Sequence, residues 1–135
     1  MAAIQNLESS APAKMKIAAK GNVLVIEDDP DTAETVALIV RGAGYGVRTA
    51  VNREAALLVL QSNLYDIIIM DLMMPGMGPI EFMQKVRTHA PLSKFILMTA
   101  TSRVASQARN LGMTWWIGKP FDPNQLLDTI SKCTS

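Results

Sequence analysis

From residue 22 onward, short stretches of unbroken apolar residues alternate with longer ones in which apolar positions recur every three or four residues. Residues 23–26, 67–70 and 95–98 are apolar at every position, as expected of strands in a parallel sheet covered on both faces. Residues 47–50 mix apolar and polar side chains and suit an edge strand, and Trp115-Trp116-Ile117 supplies a fifth, with one indole expected to face outward. Ala33, Val36, Ala37 and Val40 follow the helical i, i+3, i+4, i+7 rule, and Gly42 and Gly44 close that helix. Ala55, Leu58 and Val59 mark a second helical face, Phe82, Met83 and Val86 a third, and Leu126, Leu127 and Ile130 the last. Between residues 102 and 111 only Val104, Ala108 and Leu111 share a face. That fourth helix is therefore expected to be the least firmly held.

Five strands alternating with five helices imply right-handed crossovers and an α/β doubly wound parallel sheet. In such sheets the functional groups stand just beyond the carboxyl ends of the strands. Residues 1–21 show no sustained apolar period and read as a flexible leader; residues 22–132 form the expected domain, with 133–135 as a tail.

Composition removes several classes of function. The 135 residues suffice for one ordinary domain, and 49% hydrophobic against 19% charged residues provide a core. Thirteen Lys and Arg against twelve Asp and Glu leave a net charge of +1, without the basic excess of a nucleic-acid binder. Cys133 is the only cysteine, so internal disulfides and cysteine metal clusters are excluded. No apolar run approaches the roughly 18 residues of a membrane span, and the amino terminus lacks a secretory apolar stretch. A cytoplasmic setting is expected.

Glu27, Asp28 and Asp29 follow the first strand, Asp71 the third, Thr99 the fourth and Lys119 the fifth. Carboxylates gathered from two strands at one rim repel one another, and a hard divalent cation resolves the repulsion; Mg2+ suits a few carboxylates and retained waters. Lys119 adds a point charge able to meet a phosphoryl group, and Thr99 a short hydroxyl donor. Asp29, before Pro30, reads instead as a helix cap. Met70, Met73, Met74, Met77 and Met83 read as gap-fillers around the third strand, and His89 as a surface residue.

The segments VLVIEDDP, IIIMDLMMPGM, ILMTA and WWIGKPF, in this order, resemble the receiver domain of two-component response regulators. The resemblance implies the flavodoxin-like five-stranded fold in the order 2-1-3-4-5, for which a chemotaxis receiver is a standing example. It also implies that Asp71 is the phosphoacceptor, that Asp28 binds Mg2+ directly and Glu27 through water, and that the backbone carbonyl of Met73 is a further metal contact. Thr99 then closes on the phosphoryl group, Lys119 pairs with it, and Lys119-Pro120 is a cis peptide. The implied partner is a histidine kinase or histidine phosphotransfer protein; a downstream protein target, met as a monomer or weak dimer, is expected beside it, and charge, hydropathy and length lead to no expectation of direct nucleic-acid binding, membrane insertion or an output enzyme. The expected output face is made by the fourth helix, the fifth strand and the fifth helix, with Thr99 as its switch and the tryptophans, Trp116 above all, as its reporter. Two positions depart from the pattern. Gly78-Pro79 stands where the family usually has Asp-Gly, and Trp116 where it usually has Tyr or Phe.

Other classes compete. An aspartate-dependent phosphohydrolase needs a second aspartate two residues after the first, where this chain has Met73. A flavodoxin-like mononucleotide binder needs a phosphate loop after the first strand, where the acidic Glu27, Asp28 and Asp29 repel phosphate. A receiver acting as an unphosphorylated docking module has no need of the full set of site residues.

Overall fold

The structure, a computed structural model, describes residues 20–135; the expected leader, apart from Lys20 and Gly21, lies outside the described residues. Strands β1 (Asn22–Ile26), β2 (Gly46–Ala50), β3 (Ile67–Asp71), β4 (Lys94–Thr99) and β5 (Trp115–Gly118) alternate with helices α1 (Pro30–Gly42), α2 (Arg53–Leu60), α3 (Pro79–His89), α4 (Val104–Asn110) and α5 (Pro123–Thr134). The sheet is parallel throughout, in the order β2-β1-β3-β4-β5.

Period-two alternation divides the core between two layers. Leu24, Ile26, Ile68, Met70, Phe95 and Leu97 pack toward α2, α3 and α4. Val23, Val25, Ile67, Ile69, Ile96 and Met98 pack toward α1 and α5. The four residues of α1 expected to face the core are all buried, as are Phe82, Met83 and Val86 of α3.

Four expectations need correction. The buried positions of α2 are Arg53, Ala56, Val59 and Leu60, while Leu58 is exposed; a helix of eight residues that is apolar from 55 to 60 leaves its phase open to tertiary packing. Both tryptophans are half-buried, Trp115 against the α1–α5 layer and Trp116 against the α2–α3–α4 layer, because helices cover both faces of β5. The tail set at 133–135 begins inside α5, where Cys133 is buried. Met73 is exposed rather than a gap-filler, whereas Met70 and Met83 are buried.

The register aligns the strand ends. Ala50, Ile26, Met70, Leu97 and Trp116 lie in one row across the sheet, so Glu27 and Asp71 leave it one residue later and Thr99 and Lys119 shortly after. At the opposite end Asp66 ties three strands. Its carboxylate accepts from Asn22 N at 2.8 Å, its N–H donates to Asn22 O at 2.9 Å, and its carbonyl accepts from Lys94 N at 2.9 Å. Gly21 there has φ +112°, and a Cβ on it would lie 2.7 Å from the Asp66 carboxylate; both facts require glycine.

Candidate functional site

Glu27, Asp28 and Asp71 each present a carboxylate oxygen within a group no wider than 4.8 Å. Glu27 and Asp71 are buried, while Asp28 is exposed. Lys119 reaches between the buried pair, donating to Glu27 Oε1 at 2.5 Å and to Asp71 Oδ2 at 2.9 Å. Its own backbone N–H donates to Thr99 O at 2.8 Å, and the Lys119-Pro120 peptide is cis. Two of the three carboxylates thus share one ammonium, and Asp28 is not among its partners. Asp29 stands apart as the cap of α1, accepting from Thr32 N, with Pro30 at the first helical position.

The electrostatics follow from burial and pairing. Burial raises the Glu27 carboxyl above its ordinary value, opposed by the hydrogen bonds from Lys119 and from Asp29 N. For Lys119 burial acts to lower the value, but its hydrogen bonds to Glu27 and Asp71 outweigh it and the ammonium is held above its usual range. Thr99 is fully buried, and its hydroxyl has no hydrogen-bond partner. A buried unpartnered hydroxyl is costly and points to a ligand that completes it. Hard oxygen donors carrying excess negative charge fit a divalent cation such as Mg2+.

Thus Glu27, Asp28, Asp71 and Lys119 converge on one rim, and Thr99 is joined to it through its backbone carbonyl. Trp116 lies lower on β5, beside a hollow lined by Val104, Gly118, Lys119 and Asp128. A mostly apolar groove of about 480 Å³ opens on the other side of Lys119, between Thr32, Thr35 and Ile39 of α1 and Pro120, Phe121 and Pro123.

One residue of the site region escaped the sequence reading. Arg53, at the first position of α2, is 1% exposed. Its Nη2 donates to Asp71 O at 3.0 Å and Leu72 O at 3.1 Å, its Nη1 to Met77 O at 2.9 Å, and its Nε to Met70 Sδ at 3.3 Å. The available signal was one of sign. A cation in the first turn opposes the helix dipole, so an arginine there calls for acceptors outside the helix.

A family model described as the response regulator receiver domain matches residues 23–131. Among solved structures, the chemotaxis response regulator CheY4 of Vibrio cholerae is 32% identical, with a TM-score of 0.75 over 87% of this chain and 99% of that one. The response regulator TrrA of Thermotoga maritima, in complex with Mg2+ and BeF, is 30% identical, with a TM-score of 0.73 over 83% and 97%. The transcriptional regulatory protein DltR of Streptococcus agalactiae is 29% identical over 110 residues, 80% of this chain and 49% of that protein. This chain spans about half the length of such curated relatives.

Proposed function

The chain belongs to the response regulator receiver domain family, and from that premise we propose that it is a phosphoacceptor switch with Asp71 as acceptor. The observation that carries this reading is the buried Asp71 carboxylate, held by the Lys119 ammonium inside a cluster of carboxylates. An Asp71 oxygen attacks the phosphorus of a phosphohistidine on a histidine kinase or phosphotransfer protein. The phosphorus–nitrogen bond breaks as the phosphorus–oxygen bond forms, and the departing imidazole nitrogen keeps the electron pair and takes up a proton from solvent. No side chain need change oxidation state or supply that proton.

Asp28, Asp71 and the Met73 carbonyl would hold Mg2+ directly and Glu27 through water. Bound there, the ion supplies positive charge that offsets the carboxylates and the incoming phosphoryl oxygens. Lys119 exchanges part of its pairing with Asp71 for a phosphoryl oxygen, and Thr99 turns its unpartnered hydroxyl toward another. Positioning and charge thereby do most of the catalysis. The altered contacts of Thr99 are passed to the start of α4 and to Trp116, and the product state is read by a protein target.

The test is labelling with a small phosphodonor, followed by borohydride trapping and mass spectrometry. The label is expected on Asp71 alone, and it is expected to vanish in Asp71→Asn and with EDTA. Retained labelling in either condition overturns the assignment.

A further inference from the structure

The segment from Leu72 to Gly78 joins β3 to α3 without regular structure, yet it carries the backbone next to Asp71 and the Met73 carbonyl. Two consecutive residues of α2 hold it. Arg53 donates to the carbonyls at its two ends, those of Asp71 and Leu72 on one side and of Met77 on the other. Glu54 accepts from Met77 N at 3.0 Å. A cation thus takes the carbonyls and an anion the amide. Gly76 between them has φ +95°, and a Cβ there would lie 2.8 Å from Glu54 Oε2, so the loop is drawn in to a distance that only glycine permits.

Arg53 is an expensive residue to keep in this place. Its guanidinium is buried and forms no ion pair within 4 Å among the described residues, and taking such a charge out of water costs several kcal/mol unless its donors are satisfied. The cost is offset by the fixed acceptors, since all three of its nitrogens are engaged, and by the attraction of the nearby Asp71 and Glu54 carboxylates. Lysine could not substitute: it is a single point of charge, whereas the planar fork spans separate acceptors.

We propose that Arg53, assisted by Glu54, is a positioning residue that sets the backbone after Asp71, and so the stance of the Asp71 carboxylate and the Met73 carbonyl, before any ligand arrives. The inference rests on the site reading given above, and its test separates the two. Amide hydrogen exchange of Met73, Met74 and Met77 is compared with that of Val25 and Ile69 in the core strands, in the full chain without metal. Mg2+ affinity is measured beside it by calorimetry. In Arg53→Met the loop amides are expected to exchange at least about tenfold faster relative to the core amides, and Mg2+ affinity to fall about 10–100-fold, the usual scale for residues that orient a metal ligand. Arg53→Lys keeps the buried charge and is expected to restore little of either, and it decides the question if Arg53→Met does not fold. Glu54→Gln, at an exposed site, is expected to speed exchange at Met77 alone.

Loop and core amides accelerating by one common factor would reduce Arg53 to a stabilising residue and overturn the inference. Faster loop exchange with unchanged Mg2+ affinity would also overturn it. If the wild type binds no Mg2+, the site reading fails, while the exchange ratio still reports whether the loop is held.

Discussion

A buried hydroxyl with no partner, such as that of Thr99, lowers stability by about 1–3 kcal/mol. Thr99→Val keeps the shape and removes the polar atom, so the metal-free protein is expected to gain about 1 kcal/mol in urea unfolding while losing its response to a phosphoryl mimic. A residue improved by deletion is one retained for use. Lys119 makes a second prediction. Its folded-state value is raised, so its contribution to stability is complete below the unfolded value near 10.5 and is lost as pH climbs through the folded one. The stability gap between wild type and Lys119→Gln should therefore stay level from neutral pH to about 10 and close above it, as followed by unfolding at a series of pH values. At this scale the acids, Thr99 and Lys119 were legible because each stands within two residues of the end of an apolar run. Arg53 was not, since its oxygen acceptors are backbone carbonyls 18, 19 and 24 residues away, and carbonyls leave no mark in a sequence.

Helix ends differ in how well they are fastened. Asp122 and Gln125 form a reciprocal capping box on α5, and Asn52 caps α2 through Ala55 N at 2.7 Å. α3 begins at Gly78 with no side-chain cap, and a Cβ at Gly78 would meet nothing within 4 Å. Gly78→Asp should therefore stabilise the protein by about 0.5–1 kcal/mol, through a new cap and a less flexible unfolded chain, as measured by chemical denaturation. α4 is the weakest element. It has seven residues, no side-chain cap at Arg103, and Ala108 as its only buried side chain. Its amides should exchange faster than those of α1, which buries four residues and is capped by Asp29. The faces of α1 and α3 could be read from periodicity because polar residues interrupt them. The face of α2 could not, since its apolar run leaves the choice to packing against the sheet.

Across the whole molecule, the strand order rested on the resemblance to receiver domains, and the alternation of strand and helix by itself reached a doubly wound parallel sheet with right-handed crossovers. What it could not reveal was how the two layers share β5. Trp115 and Trp116 touch opposite layers, and Trp116 packs in the layer that contains α4. Beryllofluoride with Mg2+ should shift tryptophan emission in the wild type, less in Thr99→Ala and less again in Trp116→Phe, while Trp115→Phe should keep most of the change. A response carried by Trp115 instead would place the moving parts in the α1–α5 layer.

The fastening of the strand starts by Asp66 has a consequence for handling the molecule. β1 begins beside Asp66, and the far end of α5 returns to the same side, where Lys94 Nζ donates to Cys133 O at 2.9 Å. Both ends of the described fold therefore emerge away from the carboxylates. A tether joined through a side chain near Cys133 would leave the rim of Glu27, Asp28 and Asp71 facing away from its support.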